Sequence, residues 1–230
     1  MQVKIIFSDN EGCLIPGKGL PFDNSALHAL QGKLEELSNI GFSLCTGRSV
    51  PYVEAMTQAL GLSRSSVPCV CEGGSVIYSP ATDRWESLAE PVDRAMIIKL
   101  LDGLHYREEV GKKVCFSVYP EPGTTVADIY ARLLESDLPQ VTITKSIAAV
   151  DLTPHGVDKA FGLRKVCERL GIPLNQVAAI GDSWNDLPML RLAGFSACPK
   201  NAVAEVKDVV DYVSPYESTL GVLDFLHHIS

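Results

Sequence analysis

Ile5, Ile6 and Phe7 form an apolar run that stops abruptly at Asp9-Asn10-Glu11-Gly12. Short β-branched and aromatic runs closed by turn residues read as buried strands. A carboxylate just past such a strand lies where open α/β sheets bind ligands, in the crevice beyond the strands' carboxyl ends. Asp9 and Glu11 share one face if the chain stays extended, because side chains along a strand repeat with period two. The stretch therefore asks for a sheet whose edge carries acid chemistry.

The same punctuation recurs along the chain. A helix follows, capped by Asn24 or Ser25, with Leu27, Leu30, Leu34 and Leu37 on one stripe and Gly41 at its end. A strand over 42–45 stops at Thr46-Gly47-Arg48. Pro51 opens a second helix that runs to Leu60, and Cys69-Val70-Cys71 is a third strand before Glu72-Gly73-Gly74. This β-α-β-α-β order predicts an α/β fold, a doubly wound, Rossmann-like parallel sheet. Near Pro80 the pattern changes. A helix over 92–104, a strand over 113–119, a helix over 126–134 and strands near 141–144 and 148–152 predict an inserted α+β module with an antiparallel sheet. The core resumes at Val157, with a helix carrying Ala160, Leu163, Cys167 and Leu170 and a strand over 176–180 ended by Gly181-Asp182. A helix from Asp186, a strand over 195–198 and two closing helices complete it. The expected division is 1–80 and 156–230 for the core and 81–155 for the insert, with hinges near 79–82 and 153–156.

Hydrophobic residues at 46% and charged residues at 21% are ordinary for a soluble globular chain. A net charge of −8, without a Lys/Arg cluster, gives no footprint for nucleic acid. No run approaches the roughly 20 apolar residues of a membrane helix, and the N-terminus lacks a secretory pattern. Seven cysteines, mostly inside apolar stretches, read as buried free thiols in a reducing compartment, so a cytoplasmic location is expected. Cys69 and Cys71 have no matching second pair for zinc. Oligomeric state, monomer or dimer, stays open.

Four polar groups fall just past predicted parallel strands or at a helix start beside them: Asp9 with Glu11, Thr46, Asp182 with Asp186, and Lys159. Taken singly, each is an ordinary turn former or a solvated charge. Gathered at one sheet edge, they fit phosphate chemistry. Asp9, Asp182 and a backbone carbonyl near Glu11 are hard oxygen ligands of the kind Mg²⁺ takes, and clustered carboxylates in a dry crevice need a cation. Lys159 and the Thr46 hydroxyl suit a dianionic phosphoryl group, and N–H groups of the Gly12 and Gly47 turns can cradle its oxygens. Asp9 could attack phosphorus to give an aspartyl-phosphate, with Glu11 as acid and then base.

The motif order resembles the haloacid dehalogenase (HAD) superfamily of phosphatases, in the Cof-like branch with an α/β cap between the second and third motifs. IIFSDNEGCL stands for the first motif, FSLCTGRS for the second, HGVDKAFGL for the third and AAIGDSWNDLPML for the fourth. The resemblance spans essentially the whole chain. It implies that Asp9 is the nucleophile and Glu11 the acid/base, its carbonyl on the metal. It implies phosphate or substrate binding by Thr46, Gly47, Arg48, Lys159 and Asn185, and a Mg²⁺ shell completed by Asp182 and Asp186. Small phosphoglycolate phosphatases look nearest in size, followed by sucrose-phosphate and mannosyl-phosphoglycerate phosphatases. The implied function is hydrolysis of a small phosphorylated metabolite, a phosphosugar or a phospho-carboxylic acid, with the cap setting specificity.

The chain departs from the family's D-x-D-G-[TV] at Glu11 and Cys13. The extra methylene of Glu11 moves the proton donor by roughly 1 Å, a misplacement that can cost about 10²-fold in rate. Glu72 replaces the family's Asn after the third strand and is expected near the phosphate crevice, repelling acidic substrates or pairing with Arg48. Arg107, Lys112 and Lys113 read as a solvated face, with substrate binding as the alternative. His155 neighbours a hinge, and Trp184 is expected to pack against a cap residue. Two other functions share the site: a weakly catalytic phosphoester-binding or regulatory relative, and a phosphosugar mutase.

Overall fold

The computed structural model describes residues 2–229. In chain order the elements are β1 (Ile5–Ser8), α1 (Asn24–Glu36), β2 (Gly41–Leu44), α2 (Val50–Ala59), β3 (Cys69–Cys71), β4 (Val76–Ser79) and β5 (Arg84–Ser87). Then come α3 (Arg94–Leu100), β6 (Tyr106–Glu108), β7 (Phe116–Pro120), α4 (Val126–Leu134), β8 (Val141–Lys145) and β9 (Val150–Pro154). The chain closes with α5 (Lys159–Leu170), β10 (Val177–Ile180), α6 (Leu187–Leu192), β11 (Phe195–Cys198), α7 (Ala204–Lys207), β12 (Tyr212–Val213) and α8 (Ser218–His228).

β1 is buried along its whole length because helices cover both of its faces, as a parallel strand requires. Ile6, Ala178 and Ile180 pack on one side with Leu30 of α1, Met56 of α2 and Phe225 of α8. Ile5, Phe7, Val177 and Ala179 pack on the other with Leu163 and Val166 of α5 and Met189 of α6. The sheet order is β12-β11-β10-β1-β2, parallel throughout. A parallel bridge between Cys45 and Val70 joins β3 to its β2 edge, and β3-β4-β5 form an antiparallel extension. Because β1 leads outward to β2 while β10 lies on its other side, the strand order reverses between β1 and β10. Ligands of doubly wound sheets sit at such a switch point. Ser8 pairs with Ile180, so Asp9 and Gly181 leave the sheet side by side. The α/β class expected from the sequence is the observed one.

A second sheet, β6-β7-β9-β8, is antiparallel and has its own core, where Ile97 of α3 and Ile129 and Leu133 of α4 meet Phe116, Val118, Val150 and Leu152. Several local expectations shift. Asp23, not Asn24 or Ser25, caps α1, accepting the Ala26 N–H at 3.0 Å. β5 was not anticipated: its four residues are all exposed and carry no burial pattern, yet they pair with β4. Strand pairing thus runs past residue 80 to Ser87. The strand expected over 113–119 begins only at Phe116, because the N–H groups of Lys113, Val114 and Cys115 are taken by a side chain, Glu72. α3 is shorter than expected, starting at its Asp93 cap and ending at Leu100. All seven cysteines are buried and unpaired. Among the described residues no helix is long and apolar enough to cross a membrane.

Candidate active site

The turn after β1 folds back on itself, with the Gly12 N–H donating to the Ile15 carbonyl at 2.7 Å and the Ile15 N–H to Asn10 at 2.9 Å. Gly12 adopts φ +79°, and a Cβ there would lie 2.2 Å from Asp182 Oδ2, so only glycine lets this turn approach that carboxylate. After β10 the chain makes a short 3-10 turn over Trp184–Asp186. Asp186 Oδ2 accepts the N–H groups of Asp182 and Ser183, both at 3.0 Å, which fixes the turn and aims Asp182 at Asp9.

Lys159 opens α5 behind its Asp158 cap and is 2% exposed. Its ammonium lies 2.6 Å from Asp9 Oδ1 and 2.5 Å from Asp186 Oδ1. The approach depends on Gly74, where a Cβ would stand 1.9 Å from the Asp158 carbonyl oxygen. Carboxylate oxygens of Asp9, Asp182 and Asp186 all lie within 4.8 Å of one another. Burial and then the Asp186 charge raise the Asp9 carboxyl to about 7, and the same two causes push Asp182 well up. Burial alone would lower Lys159, but Asp186 and Asp9 outweigh it and hold the ammonium charged. One lysine among three buried carboxylates leaves excess negative charge. Asp182 Oδ1 is buried with no hydrogen-bond partner among the described residues. An orphaned oxygen inside a hard, all-oxygen donor set fits Mg²⁺.

Thr46, just past β2, is fully buried; its main chain is tied to Val70 and Gly73, and its Oγ1 accepts the Arg48 N–H at 3.2 Å. Arg48 stacks over Tyr52 at 4.4 Å and donates to Glu11 Oε1 and, at 3.3 Å, to Glu109 Oε1. A cleft of about 280 Å³ opens above these groups. Asp9, Glu11, Gly12, Gly47, Arg48, Asp182 and Asn185 line it, while Thr46 and Lys159 lie beneath. Asp9, Glu11, Thr46, Gly47, Arg48, Lys159, Asp182, Asn185 and Asp186 therefore lie together at one sheet edge.

Two expectations need correction. Glu72 does not face Arg48's side chain or the cleft: it is fully buried, and its carboxylate accepts the Lys113, Val114 and Cys115 N–H groups at 2.8–3.2 Å. Lys112 is not on a solvated face; it is 8% exposed, lines the cleft and bonds Ser117 and Asp151. Neither Lys113 nor Arg107 lines the cleft: Lys113 lies over Trp85, and Arg107 lies over the ring of Tyr119, which does line it. His155 is exposed and does not line the cleft, and Trp184 meets Lys145 of β8 at 4.6 Å. Sequence reasoning missed Lys18, Glu109, Tyr119, Asp151 and Asn201. Only Asn201 carried a usable signal, since it follows the end of β11 at the same sheet edge; its amide donates to the Gly12 carbonyl at 2.9 Å.

A sequence model of the haloacid dehalogenase-like hydrolases matches residues 101–226. The chain is 31% identical over 210 residues to a phosphoglycolate phosphatase of Methanopyrus kandleri, covering 85% of this chain and 86% of that one. It is 27% identical over 228 residues to a phosphoglycolate phosphatase of Metallosphaera sedula, covering 98% of each. A solved Thermoplasma acidophilum protein superposes with a TM-score of 0.83 at 22% identity, over 100% of this chain and 99% of that one. The Synechocystis sucrose-phosphatase, solved with sucrose and phosphate, gives 0.75 at 21% identity, over 100% and 98%. These two superpositions speak for the fold. With more than half of the chain inside the family's sequence model and a relative of this identity along most of its length, the chain belongs to the haloacid dehalogenase-like hydrolases.

Proposed function

We propose that this chain is a Mg²⁺-dependent phosphatase of small phosphorylated metabolites that works through an aspartyl-phosphate on Asp9. The observation that carries the reading is the Lys159 ammonium held between Asp9 and Asp186, with carboxylate oxygens of these two and of Asp182 within 4.8 Å of one another and Asp182 Oδ1 buried with no hydrogen-bond partner among the described residues. The names of its phosphoglycolate phosphatase relatives and of the sucrose-phosphatase support a small phosphomonoester as substrate. Asp9, Asp182 and the Glu11 carbonyl would hold Mg²⁺, with Asp186 behind them, and the ion would supply positive charge against the phosphoryl oxygens.

Lys159 fixes Asp9 through Oδ1, leaving its other carboxylate oxygen for attack on phosphorus. As that O–P bond forms, the P–O bond to the leaving group breaks and Glu11 gives its proton to the departing oxygen. Water then attacks phosphorus, Glu11 takes its proton back, and cleavage of the Asp9–phosphorus bond restores the carboxylate. Thr46, Asn185 and the Gly47 N–H orient the phosphoryl group. The four-stranded sheet with α3 and α4, residues 88–154, acts as the cap. That role is supported by Lys112, Tyr119, Asp151 and residues 146–149, which line the cleft from above. Closing it excludes water and strengthens every charge interaction inside.

The grip of Arg48 on Glu11 favours one rival, a phosphoester-binding protein of weak turnover, because it holds back the carboxylate that must move the proton. Phosphate release from p-nitrophenyl phosphate separates the two. The wild-type chain with Mg²⁺ turns over, a chelator stops it, and Asp9→Asn loses at least about 10³-fold while keeping its circular dichroism spectrum. Retained activity in Asp9→Asn contradicts the mechanism, and Mg²⁺-dependent phosphoester binding without turnover favours the rival.

A further inference from the structure

Beyond Asp9 and Lys159, each cation that lines the distal half of the cleft is paired with a carboxylate, while the exposed Arg107 lies off the lining, over the Tyr119 ring. Lys18 lies 3.2 Å from Glu109 Oε2, Arg48 pairs with Glu11 and Glu109, and Lys112 lies 3.4 Å from Asp151 Oδ1 and 3.9 Å from Glu109. Three cations thus face three carboxylates. Glu109 sits behind, 8% exposed, with the Tyr119 hydroxyl also donating to it. Lys112 and Ser117 both donate to Asp151 Oδ1, while Oδ2 reaches toward the cleft floor, 3.5 Å from where a Gly47 Cβ would stand.

We propose that Glu109 and Asp151 are specificity determinants that select a phosphomonoester whose other end is neutral and hydroxyl-bearing, such as a small polyol or sugar, over one carrying a second acid group. The proposal rests on the phosphatase reading of this site and names its substrate class. An ionised carboxylate only accepts hydrogen bonds, so a substrate carboxylate set against Asp151 leaves two acceptor-only groups facing each other. Charge makes this worse, because Lys18, Arg48 and Lys112 are already paired with Glu109, Glu11 and Asp151, and Glu109, Lys112 and Asp151 are buried, where an extra unpaired anion is costly. A hydroxyl both donates and accepts. It gives a hydrogen bond to Asp151 and takes one from Lys112 or Lys18 without disturbing the ion pairs. Pro16, Ile147 and Ala148 add an apolar wall suited to the carbon face of such a group. Selection against the acid comes from the repelling carboxylates as much as from attraction of the hydroxyls. This runs counter to the substrate in the phosphoglycolate phosphatases' names, which makes the test sharp.

The test is calorimetric binding of glucose 6-phosphate and phosphoglycolate to Asp9→Asn in Mg²⁺, which reads preference without turnover. At least tenfold tighter binding of glucose 6-phosphate is expected; equal affinity, or tighter phosphoglycolate, overturns the proposal. Adding Asp151→Asn is expected to bring the ratio of the two affinities down at least fivefold by weakening glucose 6-phosphate and strengthening phosphoglycolate. An unchanged ratio in a folded double variant removes Asp151 from the role. If that variant does not fold, Glu109→Gln in the same background supplies the check: freeing Lys18 and Arg48 strengthens phosphoglycolate. Turnover of p-nitrophenyl phosphate by the wild-type chain reports separately on the phosphatase reading.

Discussion

Lys159 could not remain charged in so dry a place without Asp9 and Asp186, nor could those carboxylates approach one another without it. Residue by residue, the site is a set of such mutual dependences, and Glu11 is the least settled member. Its Oε1 is held by Arg48, and under the proposed mechanism that contact has to loosen as substrate enters. Glu11→Gln keeps a hydrogen-bonding group there but cannot move a proton. Its kcat for phosphate release is expected to fall about 10²–10⁴-fold, and a fall under tenfold would remove Glu11 from the chemistry. Asp9, Thr46, Lys159 and Asp182 were legible in the sequence because each follows a strand end or opens a helix, and chain order alone brings those positions to one edge. Lys112, Glu109 and Asp151 were not. They lie on or beside short strands of the second sheet, and which way they face depends on how that sheet sits over the first.

Among the elements, the turn after β3 does the joining. Glu72 takes φ 50°, an uncommon conformation for a residue with a side chain, and the four hydrogen bonds its carboxylate accepts from residues 113–115 offset that strain. It thereby ties the parallel core to the start of β7. Glu72→Ala strands buried N–H donors and is expected to lower stability by about 1–3 kcal/mol, read as a lower urea midpoint with the unfolding slope unchanged. An unaltered midpoint would show the tie to be dispensable. Sequence periodicity located β1, β2, β10 and α5 because buried strands and amphipathic helices carry strong patterns. It missed β5, whose exposed residues are held by pairing alone, and it ran β7 three residues too early because a side chain captured the backbone there.

For the whole molecule, the contacts between the two sheets matter most. Lys18 and Arg48 from the core reach Glu109, which follows β6, and Lys145 of β8 covers Trp184. Burial works against ionisation of Glu109, but Lys112, Tyr119, Arg48 and Lys18 hold its carboxyl below the ordinary value near 4.5. A lowered folded-state pKa means stability that is present above about 4.5 and lost as pH falls through the folded value. The wild-type chain should therefore lose more stability on acidification from pH 6 to below 4 than Glu109→Gln does; parallel losses in the two proteins would contradict this. The same contacts hold the second sheet over the cleft that Asp9 lines. The most direct measurement is mass spectrometry of the peptide carrying Asp9, acid-quenched during turnover of p-nitrophenyl phosphate with Mg²⁺. The account predicts a phosphoryl adduct on Asp9 that appears and decays with turnover. Steady phosphate release with no adduct on Asp9 at any time would contradict it.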